Sequence, residues 1–393
     1  MTLPAPIRTL VLTAMLALGA SCPFGVTAHA NAAEVLQDSV TTVRARVIEA
    51  TDTDALPLPG TDVATSRQTL VAEILKGPRT GERITLENDY VHLEAGDAFF
   101  LSITDRTDGG PTIYRMEEPD RLPLLAGLGA LFILLVLAVG GIQGLRGLAS
   151  LAGSMLLILF VLLPGILGGH SPVLVSIGVS ALIVILGSYV THGFNRTTSA
   201  AVLGMLATVL ATGALAWAAV RLGRFGGYGS EEAVYLQLNM RGGIDLVGVL
   251  FGGIMIGLLG ALYDVAIGQA VAVDELARIA PHVHRRAIWK RAMRIGREHI
   301  GALTDTLAIA YVGASLPLFL LFAMPPVNVP MTMNREIFAA EIVRILAGSI
   351  GLVLAVPITT ALAAAMLVRP HENATETERH AEERALDAAR HTH

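Results

Sequence analysis

The sequence predicts a membrane all-α fold, a seven-helix transmembrane bundle, with an N-terminal extracytoplasmic small β-barrel that is OB-like. Three observations lead there. The 393 residues are 53% hydrophobic and 16% charged, with a mean hydropathy of +0.60, above the roughly 45–50% apolar content of a soluble domain. Several apolar runs exceed the roughly 18 residues that mark a bilayer span. Residues 35–118 differ in kind, with short alternating runs broken by Gly, Pro and Asp, the pattern of strands and turns.

Residues 1–30 read as a secretory signal peptide. Arg8 is the charged start, Thr9 to Ala20 the apolar stretch, and Ala28-His29-Ala30 a small-x-small cleavage site. The alternative is an uncleaved first helix. Cys22 follows Gly19-Ala20-Ser21, but a lipoprotein acylation site carries leucine where Gly19 stands. Cleavage at Ala30 removes the chain's single cysteine, which excludes disulfides and thiolate metal sites.

The β domain, 35–118, is expected to hold five strands near Val40–Val47, Gln68–Leu75, Arg83–Leu86, Ala98–Ile103 and Thr112–Met116. Five short strands in so few residues fit a small antiparallel barrel or an unspecialised sandwich. No basic stripe or aromatic pair marks a nucleic-acid face, so no nucleic-acid partner is expected.

Seven apolar segments follow, at 123–142, 147–168, 172–193, 198–220, 246–273, 300–323 and 343–368. Arg and Lys asymmetry orients them. The link 274–299 carries Arg278, Arg285, Arg286, Lys290, Arg291, Arg294 and Arg297 and falls inside the cell. The β domain is then outside, and the acidic, His-rich tail 371–393 inside. The basic link either serves orientation alone or also contacts anionic lipid headgroups. His282 and His284 have no third ligand at metal spacing.

The fifth segment carries the chemistry. Gly253, Gly257, Gly260, Asp264 and Gly268 recur at helical steps of three, four or seven. Small residues so spaced let helices pack backbone to backbone, so Asp264 is expected on a packed seam. A carboxylate there costs about 2.5–3.5 kcal/mol on insertion scales. Asp264 lies about 13 Å from the end near Val273, and Asp305 of the next segment about 8 Å from the end near Ile300. Thr304 and Thr306 flank Asp305, Gln269 lies just past Asp264, and Thr359 and Thr360 sit at a matching level beside Pro357. These oxygens suit a cation or proton relay. They equally suit buried acids hydrogen-bonded to hydroxyls and holding helices in register. Glu341 and Arg344, one turn apart, read as an ion pair within one helix.

Two aspartates on neighbouring spans also bring intramembrane aspartyl proteases to mind. Here Thr304, not glycine, precedes Asp305, and no Pro-Ala-Leu follows. No enzymatic activity is expected.

The stretches "GALYDVAIGQAVAVDEL", "GREHIGALTDTLAIAYVGASLPLFLLF" and "NREIFAAEIVRILAGSIGLVLAVPITT" resemble the YibE/F family of bacterial membrane proteins. So does "VAEILKGPRTGERITLEN" in the β region. The resemblance implies a multipass protein of the bacterial cytoplasmic membrane, with 119–370 as its membrane domain, and delivers no activity. Asp264 and Asp305 fall on the family's "DVA" and "T-[DN]-T" positions, which leaves Asp264 as the sole obligate ionisable group. The expected role is permease-like, with a polar site in the last three helices. The alternative is a non-transporting accessory or scaffold protein whose β domain binds an extracytoplasmic partner. No nucleotide-binding motif is present and no cofactor is expected. Any transport would draw on an ion gradient or a partner subunit, and a homo-oligomer is also compatible.

Overall fold

The computed structural model describes residues 39–57, 64–77, 79–107, 110–240, 243–281, 283–324 and 328–368. Residues 1–30, expected to be a signal peptide, Cys22, His282 and the tail 371–393 lie outside them. The chain divides into two compact units between Ala138 and Val139.

The first unit holds β1 (Ser39–Pro57), β2 (Ala64–Lys76), β3 (Arg83–Asn88), β4 (Ala98–Asp105) and β5 (Ile113–Pro119). They form one antiparallel half-barrel sheet of order β3-β2-β1-β4-β5. The expected five runs fall on these five strands. Alternation explains the core: Val43, Ala45 and Val47 of β1, Leu70, Ala72 and Ile74 of β2, and Phe99, Leu101 and Ile103 of β4 point inward. Two polar side chains join them. The Gln68 amide donates to the Leu93 carbonyl at 3.1 Å, and its oxygen accepts from Asn88 at 3.2 Å and from the Leu93 amide at 2.9 Å. This network ties the segment after β3 to β2, and each buried group in it is satisfied.

From Leu122 on, the described chain is helical. Helix α1 (Leu122–Leu157) passes from the first unit into the second and runs through a π turn, Ile158–Leu162, into α2 (Leu163–Leu167). Pro164 has no N–H to return to the preceding turn, and the ladder widens just before it. The expected break between the first two apolar segments falls at Gly141, where two helical stretches meet across a kink. Gly141 takes φ 53° and ψ −133° there, a conformation that glycine alone adopts without strain. Helices α3 (Pro172–His192), α4 (Arg196–Leu222), α5 (Glu231–Asn239) and α6 (Leu246–Ile279) follow, with Asn195, Ser230 and Asp245 capping α4, α5 and α6.

Helix α7 (Arg285–Ala314) begins well before the expected 300, so most of the basic link is helix. It breaks at Ser315 into α8 (Leu316–Ala323), bent by 74°, where Pro317 cannot donate to the preceding turn. A short α9 (Val329–Met333) leads to α10 (Glu336–Leu367), which runs unbroken through Pro357. Among the described residues, five helices are long and apolar enough to cross a membrane, or six if the bent pair counts as one span. The expected seven counts Leu122–Leu167 as two spans divided at the Gly141 kink, and the bent pair as one.

Helix α10 packs on α4, α6 and α7, while α6 also packs on α3 and α4. Small residues permit the approach. A Cβ on Gly204 of α4 would stand 2.5 Å from Thr359 Oγ1, and one on Gly351 of α10 would stand 2.8 Å from Thr212 Oγ1. At Gly348 it would meet Leu258 of α6 and Leu307 of α7, each at 2.8 Å. Across the exposed Gly260 it would meet nothing within 4 Å. Replacing a helical glycine by alanine ordinarily gains roughly 0.5–1 kcal/mol, whereas forcing a methyl into a filled core costs roughly 1–3 kcal/mol. Gly260→Ala is therefore expected to raise the melting temperature of the protein in detergent, and Gly204→Ala to lower it. Shifts of the same sign at both positions would contradict this packing.

Candidate functional site

The site residues named from sequence divide into an inner and an outer group. The inner group joins α6, α7 and α10. Gln269 is 2% exposed and Thr360 is fully buried. The Thr360 hydroxyl lies 2.9 Å from Gln269 Oε1 and 2.6 Å from the Val356 carbonyl, so one proton serves two acceptors. The amide nitrogen of Gln269 lies against Gly296 of α7, 2.8 Å from where a Cβ would stand. Thr359 is buried against Gly204, and its hydroxyl has no hydrogen-bond partner among the described residues.

The outer group consists of Asp264, Asp305 and Thr306, all exposed on the helical unit. Thr306 donates to Ala302, one turn back in its own helix, at 2.8 Å. Neither aspartate has a hydrogen-bond or ion-pair partner among the described residues. The Thr304 side chain lies outside those residues. Contacts of Gly257 with Tyr311 and of Gln269 with Gly296 pair α6 with α7. These contacts bracket Asp264 on α6 and Asp305 on α7, so the two acids occupy one common stretch of the antiparallel pair.

The glycine seam needs correction. Gly253, Gly257, Gly260 and Gly268 are exposed, and at Gly253, Gly260 and Gly268 an added Cβ meets nothing within 4 Å. Gly257 alone of the four meets a neighbour, the Tyr311 hydroxyl, at 2.5 Å. The row of α6 that packs within this chain is the adjacent one, where Gly252 faces Ser176 of α3. Asp264 therefore lies on an open face. The physical reason is competition: α6 carries small residues on two faces, and α3, α4 and α10 take the one that also bears Phe251, Met255, Leu258 and Leu262.

Tyr311 was not singled out from sequence. It stands over Gly257 and within electrostatic reach of Glu341 and Arg344. Those two form the expected ion pair, with side chains 17% and 26% exposed. Gly204 and Gly351 were also missed. Their signal is Gly204, Thr208 and Thr212 at steps of four, answered by Gly348, Gly351, Ala355 and Thr359. No group of three His, Cys, Asp or Glu able to hold a metal occurs among the described residues.

Residues 128–369 match the family described as YibE/F-like protein. The chain belongs to that family. The match spans α3 to α10 together with most of α1, and with five span-length apolar helices it identifies a membrane protein. No curated protein and no solved structure matches the chain.

The Gln269–Thr360 contact has a measurable strength. Hydrogen bonds between membrane helices average about 0.6 kcal/mol and reach about 1.7 kcal/mol. A double-mutant cycle of Gln269→Leu and Thr360→Val, followed by unfolding in mixed micelles, is expected to give a coupling energy in that range. Strict additivity would show that the two side chains do not interact.

Proposed function

We propose that this YibE/F-family protein is a permease-like protein of the bacterial cytoplasmic membrane, with an ion or proton site centred on Asp264. The observation that carries this reading is the place of Asp264, far from either end of α6, on a face that no described residue covers between Gly260 and Gly268. An ionised side chain at such depth faces water or protein rather than lipid. Asp305 in the same stretch supplies a second oxygen ligand, and Gln269, Thr359 and Thr360 fix the helix that carries the site. Water, a second copy or a partner subunit completes the open side. No catalytic chemistry is part of this role. The orientation follows from the arginines: the β domain outside, the start of α7 and the tail inside.

A second reading rests on the β unit. Its strand order, with β3 and β5 brought alongside, supports an OB-like barrel. The gap between those strands forms a polar cleft of about 430 Å³ lined by Glu87, Asp89, Tyr90, Arg115, Glu117 and Glu118. A scaffold role would use that cleft to hold an extracytoplasmic partner.

Proton flux into proteoliposomes loaded with a pH-sensitive dye, under an imposed potential, separates the readings. The wild type is expected to exceed empty vesicles, Asp264→Asn to lose at least tenfold, and Asp305→Asn to lose less. Flux through Asp264→Asn equal to wild type would end the Asp264 site, and wild-type flux at the empty-vesicle level would favour the scaffold.

Topology has its own check. In a Cys22→Ala background, an impermeant thiol reagent is expected to label Thr85→Cys in intact cells and Arg286→Cys only after lysis. The reverse pattern would invert the orientation.

A further inference from the structure

Helix α7 has two unlike sides in its N-terminal half. Ile288, Ala292 and Gly296, four residues apart, are buried, and Ile288 and Ala292 belong to the main helical core. Arg286, Lys290, Arg294 and Arg297, at steps of four, four and three, are exposed. The buried row fixes the rotation of the helix, so the cations cannot turn inward. None of the four has an ion-pair partner among the described residues, and Glu298 is the one acid on the same stretch of helix. On the facing stretch of α6, Asp274 is already engaged by Arg278 and by the Thr197 hydroxyl at 2.8 Å, and the exposed Glu275 beside it forms no ion pair with the four cations among the described residues.

The level of this stripe can be read from contacts. Gln269 meets Gly296, and the Arg285 guanidinium donates to the Val368 carbonyl at 3.4 Å. The stripe therefore runs alongside the C-terminal turns of α6 and α10. On α6 and α4 the same level is marked by Asp274, Thr197 and Arg196, where the apolar spans give way to charge. Exposed Ile295 and half-buried Trp289 flank the cations, which puts apolar surface beside the positive charge.

We infer that Arg286, Lys290, Arg294 and Arg297 form a binding surface for anionic phospholipid headgroups. Their stems lie against the acyl region and their charged ends reach the phosphates. The inference rests on the chain being embedded in a bilayer and is independent of any ion site at Asp264. A surface cation at an anionic leaflet gains about fivefold in local occupancy, so a row of four should select anionic over zwitterionic lipid clearly.

The chain's two tryptophans, Trp217 and Trp289, allow a direct test. In full-length Trp217→Phe protein, Trp289 alone reports. The protein is reconstituted in vesicles of phosphatidylcholine with a minor fraction of either phosphatidylcholine or phosphatidylglycerol bearing a nitroxide at acyl carbon 5. Labelled phosphatidylglycerol is expected to quench Trp289 several-fold more effectively at equal mole fraction, and high salt to reduce the difference. Lys290→Gln/Arg294→Gln/Arg297→Gln is expected to abolish it while keeping the melting temperature, since all three side chains are exposed. Equal quenching by the two lipids, or full selectivity in the triple variant, would overturn the proposal. If the triple variant fails to fold, Arg294→Glu alone must at least halve the selectivity, and an unchanged value would overturn it equally.

Discussion

The helical unit depends on how closely α10 lies to its neighbours. Hydrocarbon offers no hydrophobic drive between helices, so packing and short polar contacts must hold them. Gly204 and Gly351 let α4 and α10 come near enough for Thr359 and Thr212 to fill the opposite notches. Gly348 admits leucines from both α6 and α7 at one point. Once these distances are set, little freedom remains for the other groups. Gln269 has to lie against Gly296 and accept from Thr360, because α10 places that hydroxyl 2.9 Å away.

This packing also decides where charge can go. The interior among α3, α4, α6 and α10 is filled by apolar side chains and by Gly, Ser and Thr, and its polar members carry no formal charge. A carboxylate would not fit such narrow notches and would lack a counter-charge there. Asp264 and Asp305 stand on the outer side of α6 and α7, and the cations of α7 stand on the side away from the core. The Glu341–Arg344 pair is the partly buried exception, and each of its charges has its partner one turn away.

Much of this was legible in the sequence, and the gaps have physical causes. The strands were readable because Val43, Ala45 and Val47, like Leu70, Ala72 and Ile74, alternate with polar residues on a half-buried sheet. The buried Gln68–Asn88 network was not, because both residue types usually lie on surfaces. Helix ends were harder. Arg285 to His299 looks like a charged connector, yet Ile288, Ala292 and Gly296 recur every four residues and bury one side of a helix. Gly140 to Gly147 looks like a turn, and the break is narrower than that, a kink at Gly141. The site was half legible. Depth follows from the 1.5 Å rise per residue, and Asp264 and Asp305 do share a level. Sidedness does not follow, because a row of glycines states that a neighbour can approach, not which neighbour does.

The open face of α6 then acquires meaning from the solvent. In water an exposed aspartate is unremarkable. At membrane depth each costs about 2.5–3.5 kcal/mol, and two on adjacent helices would repel if both were ionised. The same face offers these acids little apolar cover, since Gly253, Gly257, Gly260 and Gly268 line most of it, with Tyr311 over Gly257 and Val271 beyond Gly268. A surface that carries acid under so little apolar cover gains little from lipid contact. It gains from water, from an ion, or from another backbone brought close by the same glycine geometry that α4 and α10 use inside the unit. The interior uses small residues to hold three helices at fixed distances, and the exterior of α6 presents the same device with an ionisable group at its centre.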